Sequence, residues 1–273
     1  MMVRHLMGAM VAASVLVTLT AATAAAEDMP WSGEFLGREA RTLRDEAAAF
    51  VTAPFGIDNG ALWGTLAVAG AVGVLSQFDE DIRDEVAGTR GRTLDRVTDA
   101  GSLVGNPVIH LGVAGAVYGG GLLAGSPRWR DTGLMMGEAA LLADAATLVL
   151  KQAIGRARPL TGKGSGTFRP LSFASDYDSM PSMHTASSFA LASVITSTSG
   201  SVPVGVASYA TAAFVGFSRM QEGKHWASDV LLGAAIGELA GRIVTRYHAS
   251  GGNLVLVPAV ADGAATLALV GKF

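Results

Sequence analysis

The chain has 273 residues, of which half are hydrophobic and only 16% are charged, and its net charge is -3 at pH 7. This composition excludes an intrinsically disordered protein, because there is ample apolar surface to form a core. It also argues against nucleic-acid binding, because no basic excess is available to neutralise phosphates. The chain has no cysteine, which excludes a disulfide framework, a thiolate metal site and a cysteine nucleophile.

Residues 1–26 have the three-part pattern of a secretory signal peptide. A short basic start that includes Arg4 precedes an apolar run over about 6–19, and small residues follow up to Ala26. We therefore expect cleavage near Ala26 and export to the periplasm or cell envelope. The alternative is an uncleaved N-terminal anchor, although the apolar run is short for a full membrane span.

The rest of the chain predicts an all-α protein. Residues 27–60 are expected to hold an amphipathic helix over 34–50 and a linker. Residues 61–248 are expected to form a six-helix bundle, in which the spacing Gly233-xxx-Gly237-xxx-Gly241 allows close helix approach. The polar connection over 76–102 is expected to be a solvated loop or short helix. The six apolar segments are 61–76, 106–124, 133–151, 183–199, 203–218 and 226–247.

The C-terminal tail, residues 249–273, has a different pattern. Two apolar runs, 254–257 and 267–270, flank Asp262-Gly263, which is a favourable hairpin turn. The tail therefore predicts a short β-hairpin. A single hairpin is only marginally stable in water, so we expect it to pack on the helices or on another surface.

Three short sequence blocks collect most of the polar groups that could perform chemistry. They are Lys151–Pro159, Pro181–His184 and Ser218–Asp229. Each block lies at the end of a predicted helix, so an antiparallel bundle would bring all three to the same end. The pooled groups are the cations Lys151, Arg158 and Arg219, the donor Ser182, the imidazoles His184 and His225, and the carboxylate Asp229.

This set of side chains predicts a pocket for a phosphate-like oxyanion, since cations and a helix N-terminus attract one. The carboxylate of Asp229, one helical turn after His225, is expected to accept one imidazole N–H and to leave the other nitrogen free to attack phosphorus. His184 is placed to protonate the leaving oxygen. We expect no metal and no cofactor, because two histidines and one aspartate would compete with three cations for the same space.

The blocks resemble the signature of the type 2 phosphatidic acid phosphatase/vanadium haloperoxidase superfamily: K-x6-R-P, P-S-G-H and S-R-x5-H-x3-D. All fixed positions agree except Met183, where the family usually has glycine. Glycine permits positive φ and close approach to the oxyanion, so Met183 casts doubt on rate and substrate more than on reaction type. Its side chain is expected near the substrate entrance.

The resemblance implies metal-independent hydrolysis of phosphomonoesters, including lipid phosphates, through a phosphohistidine, with vanadate as an inhibitor. One alternative is a vanadate-dependent haloperoxidase, in which the same pocket would hold vanadate as a cofactor. Another is a non-catalytic envelope protein, which the intact pocket residues oppose. The oligomeric state stays open, and the loop from Pro159 to Pro181 is expected to set substrate choice.

The apolar runs are short for membrane spans and are interrupted by Glu138 and Asp144. This pattern favours a soluble protein or one bound to a membrane surface, with an integral membrane protein as the alternative. Arg156 and Lys224 are expected to be charges at the pocket rim.

Overall fold

The computed structural model describes residues 33–56, 61–250, 255–261 and 264–270, and within them the chain is almost entirely helical. The expected signal peptide and the predicted turn at Asp262-Gly263 lie outside these residues. The chain divides into two units between Asp45 and Glu46, and every site residue discussed below lies in the second. The helices are α1 Gly33–Thr52, α2 Ala61–Ser76, α3 Asp79–Gly88, α4 Arg92–Val104, α5 Pro107–Leu123, α6 Pro127–Ile154, α7 Met183–Ser199, α8 Val202–Gln221 and α9 Ala227–Ala249.

Each predicted apolar segment corresponds to one of these helices, but the six-helix description is not confirmed, because the described residues form nine. Two of the additional helices, α3 and α4, occupy the polar connection after α2. The connection is not simply solvated, since Asp79 at the start of α3 and Thr98 in α4 are buried. Short 3-10 helices cover Ala53–Phe55, Pro159–Thr161 and Ser175–Tyr177.

The core lies among α6, α7 and α9, and alanine dominates it. Small side chains allow helix axes to approach closely. The predicted glycine face of α9 packs in this way against α7. A Cβ atom added to Gly237 would lie 2.0 Å from the carbonyl oxygen of Ala186 on α7. The fully buried alanines of this core are Ala139, Ala140 and Ala143 on α6, Ala186 and Ala190 on α7, and Ala240 on α9.

The helix ends place the three sequence blocks together. α6 is capped by Gly155, which has a left-handed φ of 61° and packs so tightly that a Cβ atom would lie 1.8 Å from the carbonyl oxygen of Arg169. Only glycine satisfies both conditions. Ser182 is the N-cap of α7 and Trp226 is the N-cap of α9. The last turn of α6 and the first turns of α7 and α9 therefore lie at one end of the bundle.

The tail contains two strands, β1 Val255–Ala261 and β2 Ala264–Val270, which pair antiparallel with Ala261 opposite Ala264. Among the described helices, α6 is long and apolar enough to cross a membrane, by length and composition alone. Two bent pairs meet the same test when each is taken together, α2 with α3 at 61° and α4 with α5 at 56°. The described residues thus contain one candidate span, or up to three if each bent pair counts as one.

Candidate active site

The candidate site lies where the loop between α6 and α7 meets the start of α9. The side chain of Lys151, in the last turn of α6, donates a hydrogen bond to the backbone carbonyl of Asp178. Arg158 Nε donates to Asp178 Oδ1 at 2.5 Å. The next residue, Ser179, contacts His225. The structure therefore brings Lys151 and Arg158 from the first block to the histidine of the third.

His225 is held as a neutral imidazole with one free nitrogen. Its Nδ1 lies 2.6 Å from the carbonyl oxygen of Ser179. A carbonyl can only accept, so Nδ1 carries the proton and Nε2 has the lone pair. The side chain is only 3% exposed, and this burial, followed by the charges of Lys151, Arg158 and Arg219, holds the pKa of His225 well below its usual value.

Asp229 does not hold His225 directly, so the predicted carboxylate–imidazole hydrogen bond is wrong. Asp229 Oδ2 lies 3.9 Å from His225 Nδ1, because His225 precedes α9 and does not share its helical geometry with Asp229. The carboxylate instead accepts from Ser179 Oγ at 2.5 Å, from the Trp226 N–H at 2.9 Å and from Arg156 Nη1 at 2.7 Å. Asp229 therefore acts on His225 through Ser179.

Arg156 is not a rim charge, and this prediction is also wrong. Its side chain is 2% exposed, and Nη2 donates to Asp79 Oδ2 at 2.7 Å. Nη1 also donates to Ser228 Oγ at 2.7 Å, and Nε donates to the Ser165 carbonyl at 2.8 Å. Sequence reasoning missed Asp79 because it sits among exposed acidic residues, 77 positions away from Arg156. Lys224, the other predicted rim charge, is half-buried.

Arg219 reaches the site from the end of α8. Nη1 donates to Ser102 Oγ at 2.9 Å and to Glu222 Oε2 at 2.8 Å. Its Nε is buried without a hydrogen-bond partner among the residues that the structure describes. Ser102 comes within reach because α4 packs tightly on α8, where a Cβ atom on Gly101 would lie 2.2 Å from Ser218 Oγ. No sequence pattern indicated a role for Ser102 or Glu222.

The second block forms the start of α7. The hydroxyls of Ser182 and Thr185 hydrogen-bond at 2.9 Å, and the Ser182 N–H donates to the backbone carbonyl of Asp229 at 3.0 Å. This bond ties the N-terminus of α7 to that of α9. Met183 is the first residue of α7 and does not have positive φ, which among the described non-glycine residues occurs only at Leu171.

His184 lies in the first turn of α7 and shares the electrostatic environment of His225. Burial, followed by the charges of Arg219, His225 and Lys151, lowers the pKa of His184 to about 2. An anion that offsets these cations would raise this pKa again. The site therefore combines the neutral imidazole of His225, a second imidazole whose charge depends on a bound anion, and three cations.

Comparison with known proteins finds similarity over the part of the chain that contains this site. Residues 132–251 match the model of the PAP2 superfamily, the type 2 phosphatidic acid phosphatases. A segment of 80 residues is 45% identical to the lipid A 1-phosphatase of Porphyromonas gingivalis. That segment is 29% of this chain and only 18% of the length of that relative.

Two solved structures resemble the fold. One is described as the first transmembrane PAP2-type phosphatidylglycerolphosphate phosphatase from Bacillus subtilis, with a TM-score of 0.54 at 22% identity, over 67% of this chain and 95% of that one. The other is Aquifex aeolicus LpxE, with a TM-score of 0.48 at 20% identity, over 62% of this chain and 96% of that one. The family match over residues 132–251 confirms the resemblance seen in the three sequence blocks, all of which lie within the matched residues.

Proposed function

We propose that this protein is a phosphatase that hydrolyses the phosphomonoester group of membrane lipids, with His225 as the nucleophile and without a metal. The observation that carries the proposal is the state of His225. Its Nδ1 proton is held by the Ser179 carbonyl, so Nε2 has its lone pair free. Three cations act on the same imidazole, and they are the groups that a phosphate dianion requires.

In the first step, Nε2 of His225 attacks phosphorus, a P–N bond forms and the ester P–O bond breaks. The lipid alcohol leaves with a proton from His184. The low pKa of His184 is compatible with this role, because a phosphate dianion neutralises Arg219 and Lys151, the cations that contribute to lowering it. His184 would then become protonated when the substrate binds, and it would give this proton to the leaving oxygen.

In the second step, water attacks the phosphohistidine on phosphorus and gives its proton to His184. The P–N bond breaks and inorganic phosphate leaves. Lys151, Arg158 and Arg219 carry the charge of the nonbridging oxygens through both steps. The buried Nε–H of Arg219, which no described residue accepts, is available for this purpose.

The surface of the second unit favours a lipid substrate and a protein embedded in a membrane. On α2 only Val72 is buried, and Trp63 is 71% exposed. Beside the site, the loop before α7 exposes 73% of Leu171 and 84% of Phe173. Exposed apolar side chains along one helix and beside the site are typical of a membrane or partner contact. The relatives are named for lipid substrates, lipid A and phosphatidylglycerolphosphate, and we extend this substrate class to the present chain.

A phosphate-release assay tests the proposal. The purified protein is given phosphatidic acid, phosphatidylglycerophosphate, lipid A, an isoprenyl pyrophosphate and a soluble ester. We expect the lipid esters to be hydrolysed, orthovanadate to inhibit and EDTA to have no effect. His225→Ala should abolish turnover, whereas Arg242→Gln, which changes an exposed arginine paired with Glu238 on α9, should not. Full activity in His225→Ala would refute the nucleophile, and loss of activity in EDTA would refute the metal-independent reaction.

A further inference from the structure

We propose that Asp79, at the start of α3, is a positioning residue for the nucleophile, and this rests on the function proposed above. Asp79 belongs to none of the three blocks that resemble the family signature. It is nevertheless fully buried, and it begins a chain of hydrogen bonds that ends on the imidazole. We call this chain the buried relay; its members are Asp79, Arg156, Asp229, Ser179 and His225.

The first half of the buried relay fixes the carboxylate of Asp229. Arg156 uses the two ends of its planar guanidinium to bridge two carboxylates, Asp79 at 2.7 Å and Asp229 at 2.7 Å. Without Asp79, one end of this fork would lose its partner in a region closed to water. Burying an unpaired charged donor is costly, so the guanidinium would turn or shift. Asp79 thereby determines where Arg156 holds Asp229.

The second half of the buried relay connects the carboxylate of Asp229 to the imidazole of His225. Asp229 accepts from the hydroxyl of Ser179 at 2.5 Å, and the carbonyl of the same serine accepts from His225 Nδ1 at 2.6 Å. The N–H of Ser179 also donates to the Arg156 carbonyl at 3.0 Å. Ser179 is therefore held on three sides, and it orients the imidazole only as well as Asp229 and Arg156 hold it.

Asp79 also anchors the helix that follows His225. Asp79 Oδ1 accepts from the Ser228 N–H at 2.9 Å, and Oδ2 accepts from the Ser228 hydroxyl. Trp226, between His225 and Ser228, has the guanidinium groups of Arg83 and Arg156 at 5.5 and 5.6 Å from its ring. One carboxylate from α3 thus fixes both the relay and the N-terminus of α9.

No member of the buried relay before His225 is assigned to phosphate binding, because Lys151, Arg158 and Arg219 supply that charge. A positioning role therefore predicts an effect on the chemical step and not on substrate affinity. In Asp79→Asn, kcat should fall roughly ten-fold with KM within two-fold of wild type, as for other residues that orient a catalytic ligand. The matched control is Asp81→Asn, an exposed carboxylate on the same helix, which should leave both constants unchanged.

If Asp79→Asn does not fold, Arg156→Lys tests the same point, because an ammonium keeps the charge but cannot bridge two carboxylates in one plane. It should lower kcat with KM unchanged, and Arg156→Gln should lower kcat further. The proposal is overturned if a folded variant keeps wild-type kcat, or if KM rises as much as kcat falls.

A second measurement separates this proposal from the proposed function. Nitrogen-15 NMR of histidine-labelled protein reports which ring nitrogen carries the proton, and the missing signal in His225→Ala assigns the resonance. We expect wild type and Asp81→Asn to show protonated Nδ1, and Asp79→Asn to show a mixture of the two tautomers. If wild type releases no phosphate, the proposed function fails while this comparison still tests the relay. An unchanged tautomer in Asp79→Asn overturns the relay while leaving the phosphatase intact.

Discussion

Gly237→Ala is predicted to destabilise the protein and to slow turnover, because α9 crosses α7 at this residue without room for a methyl group. The added Cβ atom would lie 2.0 Å from the carbonyl oxygen of Ala186 and 2.9 Å from the amide nitrogen of Ala190. Both obstructing atoms belong to the backbone of α7, so no side-chain rotation relieves the contact. The two helices must move apart.

The magnitude follows from the size of this overlap. A carbon and a carbonyl oxygen approach to about 3.3 Å, so the helices would have to separate by roughly 1.3 Å at this point. Overpacking of this kind lowers the free energy of unfolding by about 1–3 kcal/mol, and the higher helix propensity of alanine offsets about 1 kcal/mol of this loss. Because backbone must move, we expect a net loss near the upper end, about 2 kcal/mol. His184 lies two residues before Ala186, and a shift of about 1 Å at a catalytic group can cost about a hundred-fold in kcat.

The assay compares Gly237→Ala with Gly112→Ala, using denaturant unfolding in detergent and phosphate release. Gly112 lies on the exposed side of α5 with nothing within 4 Å of an added Cβ atom. That substitution should be neutral or stabilise the protein by up to about 1 kcal/mol, with unchanged kcat. If the two variants have the same free energy of unfolding, the packing argument for the crossing of α7 and α9 is refuted.

Three further predictions concern charge and environment. The pKa values of His184 and His225 lie below 6.5 in the folded protein, so the unfolded chain binds more protons than the folded protein below that pH. The free energy of unfolding should therefore fall as the pH decreases from 6.5, by up to about 1.4 kcal/mol per pH unit for each histidine. Unfolding at pH 7.5 and 5.5 checks this, and an equal pH dependence in the doubly substituted His184→Asn/His225→Asn protein would contradict it. Arg158→Lys should raise KM about ten-fold, because lysine cannot hold Asp178 and phosphate with one planar group; unchanged KM in steady-state kinetics would exclude Arg158 from phosphate binding. Carbonate washing should leave the protein in the membrane pellet, since α2 buries only Val72 and exposes Trp63, Leu66 and Val74; its release would support the soluble alternative.

Most of the helical fold could be predicted from apolar periodicity, and the differences have clear physical causes. The predicted apolar segment 133–151 covers only part of α6, which runs over Pro127–Ile154. The first turn of α6 contains Arg128 and Arg130, which are not apolar and so lie outside the predicted segment. Helix length depends on backbone geometry and capping, so counting only the apolar residues underestimated the length of this helix. The same counting favoured a soluble protein over the integral alternative that the exposed apolar surface supports.

The residues proposed to bind phosphate could be selected from the sequence because they lie within short blocks of fixed spacing. The groups that hold His225 in place could not. Ser179 acts through a backbone carbonyl, which every residue possesses, so its identity carries no signal. Asp79 lies beside exposed Glu80 and Asp81 in a stretch whose composition is that of a solvated helix. Only the tertiary fold distinguishes the one buried carboxylate from its neighbours.

The two arginines of the first block show how one short segment can serve two purposes. Arg156, Ala157 and Arg158 follow the end of α6 in an extended stretch, in which Arg156 forms a bridge with Phe168. Residues i and i+2 of an extended chain lie on the same face, so the backbone alone does not separate Arg156 from Arg158. Their partners separate them: Arg156 pairs with the buried carboxylates of Asp79 and Asp229, whereas Arg158 pairs with the partly exposed Asp178. The division of roles therefore follows from where the fold places the carboxylates, since two unpaired cations on one face would repel each other.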